Sequence, residues 1–309
     1  MSMLIENNAI KAIINTLNYF FVFRHPLLPD EIHKFSSISL SHKLLLNELT
    51  TAVDCGLIFE YNGYYMPAYK PEYVAEREAG AVRARLLMKE AYKSAAIIAN
   101  FPFVSSVCIS GSLSKGYAAE KSDIDLFIIT EKNRLWICRT LLHLYKKMTF
   151  LQGKEHSFCM NYFIDESRMC IDEQNIFTAT ELATLIPAYN EEKHRELLQA
   201  NKGWLVNVLP NMAWNTDIVT TSVIKKGWRK LAEPILNLLL PKYLNIALMH
   251  ITNTLWRAKW KRKKYPMQDY DLAMKTRWYV SKNHPLNYQK KVLGDYTKVG
   301  TASNIAAAL

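Results

Sequence analysis

Apolar residues recur every three or four positions through "NNAIKAIINTLNYFFVF" (7–23), the spacing of one helical face. "LPDEIHKF" predicts a short second helix opened by Pro29-Asp30, and "SLSHKLLLNELTTAVDCG" a third, running from a serine cap to a stop at Gly56. In "LIFEYNGYYMPA" the period falls to two on either side of Asn62-Gly63, a hairpin signal because both central residues take positive φ. A long helix follows from "EYVAEREAGAV" to "SAAIIANF". The pattern then changes to β: "FVSSVCISG", "DIDLFIIT" and "SFCMNYFI" predict three strands, with the helix "NRLWICRTLLHLYKKMTFL" between the second and third. "SRMCIDEQNIFTATELATLI" predicts a short strand, a turn and a helix. From about 195 the spacing is helical through "RELLQANKGWLVNVL", "VIKKGWRKLAEPILNLLL", "YLNIALMHITNTLWRAKWKRKK" and "YDLAMKTRWYVSK", and "TASNIAAAL" is aperiodic and reads as a loose tail.

Charge divides the chain differently. The net charge is +11, yet residues 1–75 hold 5 basic and 7 acidic side chains and residues 76–220 hold 17 of each. Residues 221–309 hold 17 basic against 4 acidic, so an anionic partner would be felt there. The N-terminal order of three helices and a hairpin, over roughly residues 5–70, resembles a winged helix. Its acidic balance argues against DNA, because phosphate contacts need basic side chains, and favours a docking or structural module. Glu6, Asn7, Asn8 and Lys11 interrupt the first stretch, and no 18-residue apolar window is free of charge. A cytoplasmic protein without a signal peptide or spanning helix is expected. The five cysteines, without CxxC spacing, read as small buried thiols.

The candidate chemistry lies in "ISGSLSKGYAAEKSDIDLFIIT" (109–130). On a strand, Asp123 and Asp125 point the same way, about 6.6 Å apart, while Ile124 faces the other side. Two such carboxylates repel one another and lose hydration, and a hard divalent cation relieves both penalties. Gly111 and Ser112 end the preceding strand, where a glycine lets an anion approach the backbone. Ser112 and Ser114 add hydroxyls and Lys115 a positive charge. "GSLSKG" is not a P-loop, since Tyr117 and Ala118 stand where Lys and Ser or Thr would be needed.

With ten residues (113–122) between Gly111-Ser112 and "DIDL", the segment resembles the nucleotidyltransferase superfamily, which includes DNA polymerase β, poly(A) polymerases and the minimal bacterial enzymes. The resemblance implies Mg²⁺ or Mn²⁺ on Asp123 and Asp125, and a nucleoside triphosphate such as ATP gripped at Gly111, Ser112, Ser114 and Lys115. It also implies transfer of a nucleoside monophosphate with release of pyrophosphate. The family adds a third carboxylate from a neighbouring strand. In "SFCMNYFID" the mid-strand position is Asn161, and alternation places Asp165 on the same face, so either Asn161 contacts substrate or metal-bound water while Asp165 supplies the charge, or the third acid is missing.

"LWRAKWKRKKY" (255–265) interleaves Trp256 and Trp260 with six basic residues. It reads as a solvated helix face, as a seat for an anionic acceptor such as RNA or an acidic small molecule, or as a peripheral membrane contact. The expected architecture is α+β: a winged-helix-like domain (1–75), a mixed-sheet nucleotidyltransferase core (76–190) and a basic helical C-terminal domain (191–309). The competing class is a non-catalytic, nucleotide-sensing regulator that binds DNA or a protein.

Overall fold

A computed structural model of the chain describes residues 7–151, 159–214 and 227–296. Asn7 caps α1 (Asn8–Phe21) by accepting from the Ala9 N–H at 2.8 Å, and Ile10, Ile13, Leu17 and Phe20 form its buried stripe. Then come α2 (Pro29–Phe35) and α3 (His42–Asp54), the latter capped by Ser41 and ended where Gly56 takes φ +69°. Strands β1 (Phe59–Tyr61) and β2 (Tyr64–Met66) form the hairpin, with Asn62 at φ 52° and Gly63 at φ 80°. Leu27, between the first two helices, bridges Tyr65 on that hairpin.

The 28-residue α4 (Pro71–Ile98) leads into a six-stranded mixed sheet. Its strands are β3 (Val104–Ser110), β4 (Asp125–Thr130), β5 (Cys159–Asp165), β6 (Ile186–Tyr189), β7 (Thr276–Arg277) and β8 (Val280–Lys282), in the order β6-β3-β4-β5-β8-β7. Only β4 and β5 pair in parallel, joined by the crossover helix α5 (Leu135–Leu151) that such a pairing requires. Helices α6 (Ile176–Ala183) and α7 (Glu191–Val208) flank β6, and α8 (Gly227–Leu239), α9 (Lys242–Arg262) and the one-turn α10 (Tyr270–Ala273) precede β7.

Strand alternation divides the interior into two cores. Leu126, Ile128 and Phe163 face α4 and α5, whereas Phe127, Ile129 and Ile164 face α6, α7 and the N-terminal helices. The N-terminal module therefore shares a hydrophobic core with the sheet instead of standing as a separate body. The C-terminal part also departs from expectation. "YDLAMKTRWYVSK" is not one helix: after α10, β7 and β8 form a hairpin that pairs with β5, and the sheet crosses the expected boundary at 190. No strand forms around Met169–Ile171. Asn201 on α7 supplies that segment's backbone partners, accepting from the Ile171 N–H and donating to the Met169 carbonyl, both at 2.9 Å. β6, by contrast, was not anticipated. The cysteines are all free, but Cys55 and Cys170 are exposed. "TASNIAAAL" lies outside the described residues.

Candidate active site

Ser110, the last residue of β3, pairs with Asp125, the first of β4, so the bend that follows β3 closes directly over this carboxylate. Gly111 takes φ +70°, and a Cβ there would lie 2.5 Å from Asp125 Oδ2. Both the left-handed backbone and the close approach require glycine. Gly111→Ala is expected to lower the urea midpoint by the equivalent of about 1–2 kcal/mol from backbone strain alone and to displace the Asp125 carboxylate; an unchanged midpoint would mean that residue 111 is not left-handed and that the bend does not press on the acid.

Residues 113–115 form a single 3₁₀ turn whose own bonds use the N–H groups of Lys115, Gly116 and Tyr117. Ser112 is exposed at its start. The Ser114 hydroxyl donates to the Gly111 carbonyl at 2.9 Å and so braces the bend. Lys115 Nζ donates to the same carbonyl at 3.1 Å and to Glu181 Oε1 on α6 at 2.8 Å. From behind, α4 supports the loop: Gly80 leaves room for the Tyr117 ring, and its carbonyl accepts from the Ala118 N–H at 3.1 Å.

Asp125 and Asp123 differ in environment. β4 starts at Asp125, so Asp123 and Ile124 precede the strand on which both acids were expected; Asp123 is exposed, with Cys159 Sγ 3.7 Å from its Oδ2, and Ile124 is buried. Asp125 is half-buried and accepts from Asn161 Nδ2 at 2.7 Å. Burial pushes its pKa up to about 6; Asn161 opposes the rise, while Glu181 and Asp123 add to it. Asp125 lines a pocket of about 110 Å³ whose wall includes Phe127, Tyr162, Leu182 and Tyr288. Glu173, Glu181 and Lys282 are its charged members besides Asp125.

Asp165 does not join this site. The β4–β5 register slips between Met160 and Tyr162, leaving Asn161 as an extra residue that reaches Asp125. That bulge breaks the alternation from which Asn161 and Asp165 were expected to share a face. Asp165 lies opposite Thr130, at the other end of the strand from Asp125. It is fully buried and accepts from the Asn133 N–H at 2.7 Å and from the Ser167 N–H and hydroxyl. Burial outweighs these donors and holds its carboxyl above the usual range. Its role is to tie β5 to the start of α5. The other acids lining the pocket beside Asp125 are Glu173 and, brought in by α6, Glu181, neither marked by any spacing in the sequence.

Among the described residues no group of three or more His, Cys, Asp or Glu side chains could hold a metal ion by itself. The pair Asp123 and Asp125 nevertheless suits Mg²⁺, which commonly binds one or two carboxylates and takes its remaining ligands from water and substrate phosphate. Asp125 in particular is a desolvated carboxylate that accepts from a neutral amide, the condition a cation relieves.

A family model described as a nucleotidyltransferase domain matches residues 94–226. The central part of this chain is a nucleotidyltransferase domain, a member of the superfamily that the Gly-Ser bend and the paired acids resemble. No curated protein and no solved structure matches the chain.

Proposed function

We propose that the chain transfers a nucleoside monophosphate from a nucleoside triphosphate, ATP in the simplest case, to an acceptor hydroxyl, with Mg²⁺ or Mn²⁺ held by Asp123 and Asp125. The observation that carries this reading is the contact between Gly111 and the Asp125 carboxylate, which makes the phosphate-binding bend and the metal-binding acid one structure. The ion, when bound, would offset the triphosphate's charge and polarise the α-phosphoryl group. The chain's own groups supply the rest. Gly111 and Ser112 admit the phosphates, Ser114 keeps the bend in shape, and Asn161 orients Asp125. Lys115 turns from Glu181 to the phosphates, which leaves Glu181 to accept the proton of the acceptor hydroxyl. The acceptor oxygen then bonds to the α-phosphorus as the bond to the leaving pyrophosphate breaks.

The pocket beside Asp125 suits the reacting end of the acceptor. Its wall sets Glu173 and Glu181 against Lys282, so an anionic acceptor gains less here than the overall C-terminal charge suggests. RNA or an acidic small molecule would have to place its charge beyond this wall. The protein is incubated with each α-labelled nucleoside triphosphate, Mg²⁺ and fractionated cell extract. Label on a new molecule together with pyrophosphate is expected, and both should vanish in Asp123→Ala. A second reading, a nucleotide-sensing regulator that docks through its N-terminal helices and hairpin, is favoured by one observation: the residue touching Asp125 from β5 is Asn161, not an acid. Saturable nucleotide binding by calorimetry without pyrophosphate from any fraction would select that reading over the enzyme.

A further inference from the structure

Helices α8 and α9 meet at 77°, and the outer side of this elbow is apolar. On α8, Leu231 is 73% exposed and Leu238 84%, with Ile235 and Leu239 beside them. On α9, Tyr243 is 76% exposed, and Ile246, Ile251 and Leu255 continue the outward stripe. Between Tyr243 and Ala258, His250 and Thr254 are the only polar side chains among the exposed positions. Large side chains facing outward over about six turns of helix are unusual on a protein surface that faces water alone.

Beyond this stripe the charge changes abruptly. Lys259, Lys261, Arg262, Lys263 and Lys264 are all exposed, and no carboxylate among the described residues pairs with any of them. The neighbouring Arg257 differs, donating to Asp271 at 2.8 Å. The tryptophans of this segment do not face outward. Trp256 and Trp260 pack against Tyr270 and Met274, and the Arg139 guanidinium lies 4.5 Å from the centre of the Trp256 ring.

We infer that the α8–α9 elbow is a seat for an anionic lipid bilayer, with its leucines and isoleucines entering the acyl boundary and the basic cluster meeting lipid phosphates. Lys259 and Lys263 lie 5.3 and 5.5 Å from the centre of the Trp260 ring, but an uncharged outward stripe followed by cations without carboxylate partners is the arrangement of an interfacial helix, and a cluster of Lys and Arg at its end adds attraction to a negative leaflet. A protein partner would need acids next to an apolar groove at one fixed spacing, whereas a bilayer supplies both at any registry. The contact is peripheral. Neither helix is by itself long and apolar enough to cross a membrane. Both are also fastened inward: Asn245 on α9 accepts from the Trp136 N–H at 2.7 Å, and Arg229 on α8 donates to the Ala99 carbonyl at 2.8 Å. This inference does not depend on transferase activity.

The test uses the full chain, with sedimentation of vesicles made of phosphatidylcholine alone or with about one-third phosphatidylglycerol. Binding to the anionic vesicles is expected to be at least about tenfold tighter than to the neutral ones and to weaken as salt rises from about 0.1 to about 0.5 M. Replacing Lys261, Arg262, Lys263 and Lys264 together by Gln should weaken it about a hundredfold or more. Leu238→Asp with Leu239→Asp should abolish it, while the circular dichroism spectrum stays unchanged because both side chains are exposed. Equal affinity for neutral and anionic vesicles, or none for either, overturns the inference. So does a lipid-free dimer in light scattering that the Leu238→Asp, Leu239→Asp variant splits, since a second copy would then own the apolar face.

Discussion

Asp125→Asn is expected to abolish nucleotidyl transfer and, in the metal-free protein, to increase stability. Loss of a charged metal ligand next to the phosphates should lower kcat/KM by about 10³-fold or more, equivalent to ~4 kcal/mol of transition-state stabilisation. The stability gain follows from the environment of the wild-type carboxyl. Burial raises its pKa from 3.8 to about 6, so the folded state binds the proton more tightly than the unfolded chain does. Wild-type stability from this group is therefore fully present below about pH 4, declines as pH rises to about 6 and stays low above that. The shift corresponds to about 3 kcal/mol at most. An asparagine of the same shape still accepts from Asn161 but carries no charge to desolvate. Urea unfolding in EDTA should show the variant ahead of wild type at pH 8 and level with it near pH 4. Adding Mg²⁺ should reverse the order by stabilising only the wild type. Activity within tenfold of wild type, or a variant weaker at pH 8, would refute the assignment of Asp125 as a strained metal ligand.

Glu233→Ala is expected to produce the largest loss of stability, about 3–5 kcal/mol, because it strips a buried guanidinium of its hydrogen-bonded carboxylate and leaves only Glu131, at 3.9 Å. Arg229 is 1% exposed and Glu233 4%. Arg229 donates to Glu233 Oε1 at 2.6 and 2.9 Å and to the carbonyls of Ala99 and Val104, while the Phe103 N–H donates to Glu233. These bonds clamp α8 to the corner between α4 and β3, where Phe103 takes φ 67°. The same strand carries Gly111 at its other end, so the clamp also steadies the bend over Asp125. Replacing both partners, Arg229→Met with Glu233→Leu, should recover most of the loss, since the cost comes from the buried charge stripped of that partner. A Glu233→Ala midpoint within 1 kcal/mol of wild type would show that α8 is not held by this pair.

The N-terminal helices and their hairpin were legible because their signals are local: Asn7 and Ser41 as caps, Gly56 as a stop, Asn62-Gly63 as a tight turn. The same holds for β3, β4, β5 and the crossover helix, whose apolar runs are long. The closeness of Gly111 and Asp125 was legible because one short connection joins β3 to β4. Three-residue β8 and two-residue β7 were not, since they are too short to show a period and acquire strand form only by pairing beside β5. The reach of Asn161 and the withdrawal of Asp165 depend on one bulge, which pairing creates and composition does not announce.

By itself, then, the chain's order of residues determined the Gly-Ser bend, the acid pair and the class of chemistry they suit, because each is set by neighbours within about twenty positions. Only the tertiary structure decided that Glu181 meets Lys115 at the pocket beside Asp125 while Asp165 is withdrawn, and where the C-terminal charge lies relative to an apolar face. Those outcomes depend on contacts between segments tens to more than a hundred residues apart, whose geometry is fixed by how the two cores pack against one sheet.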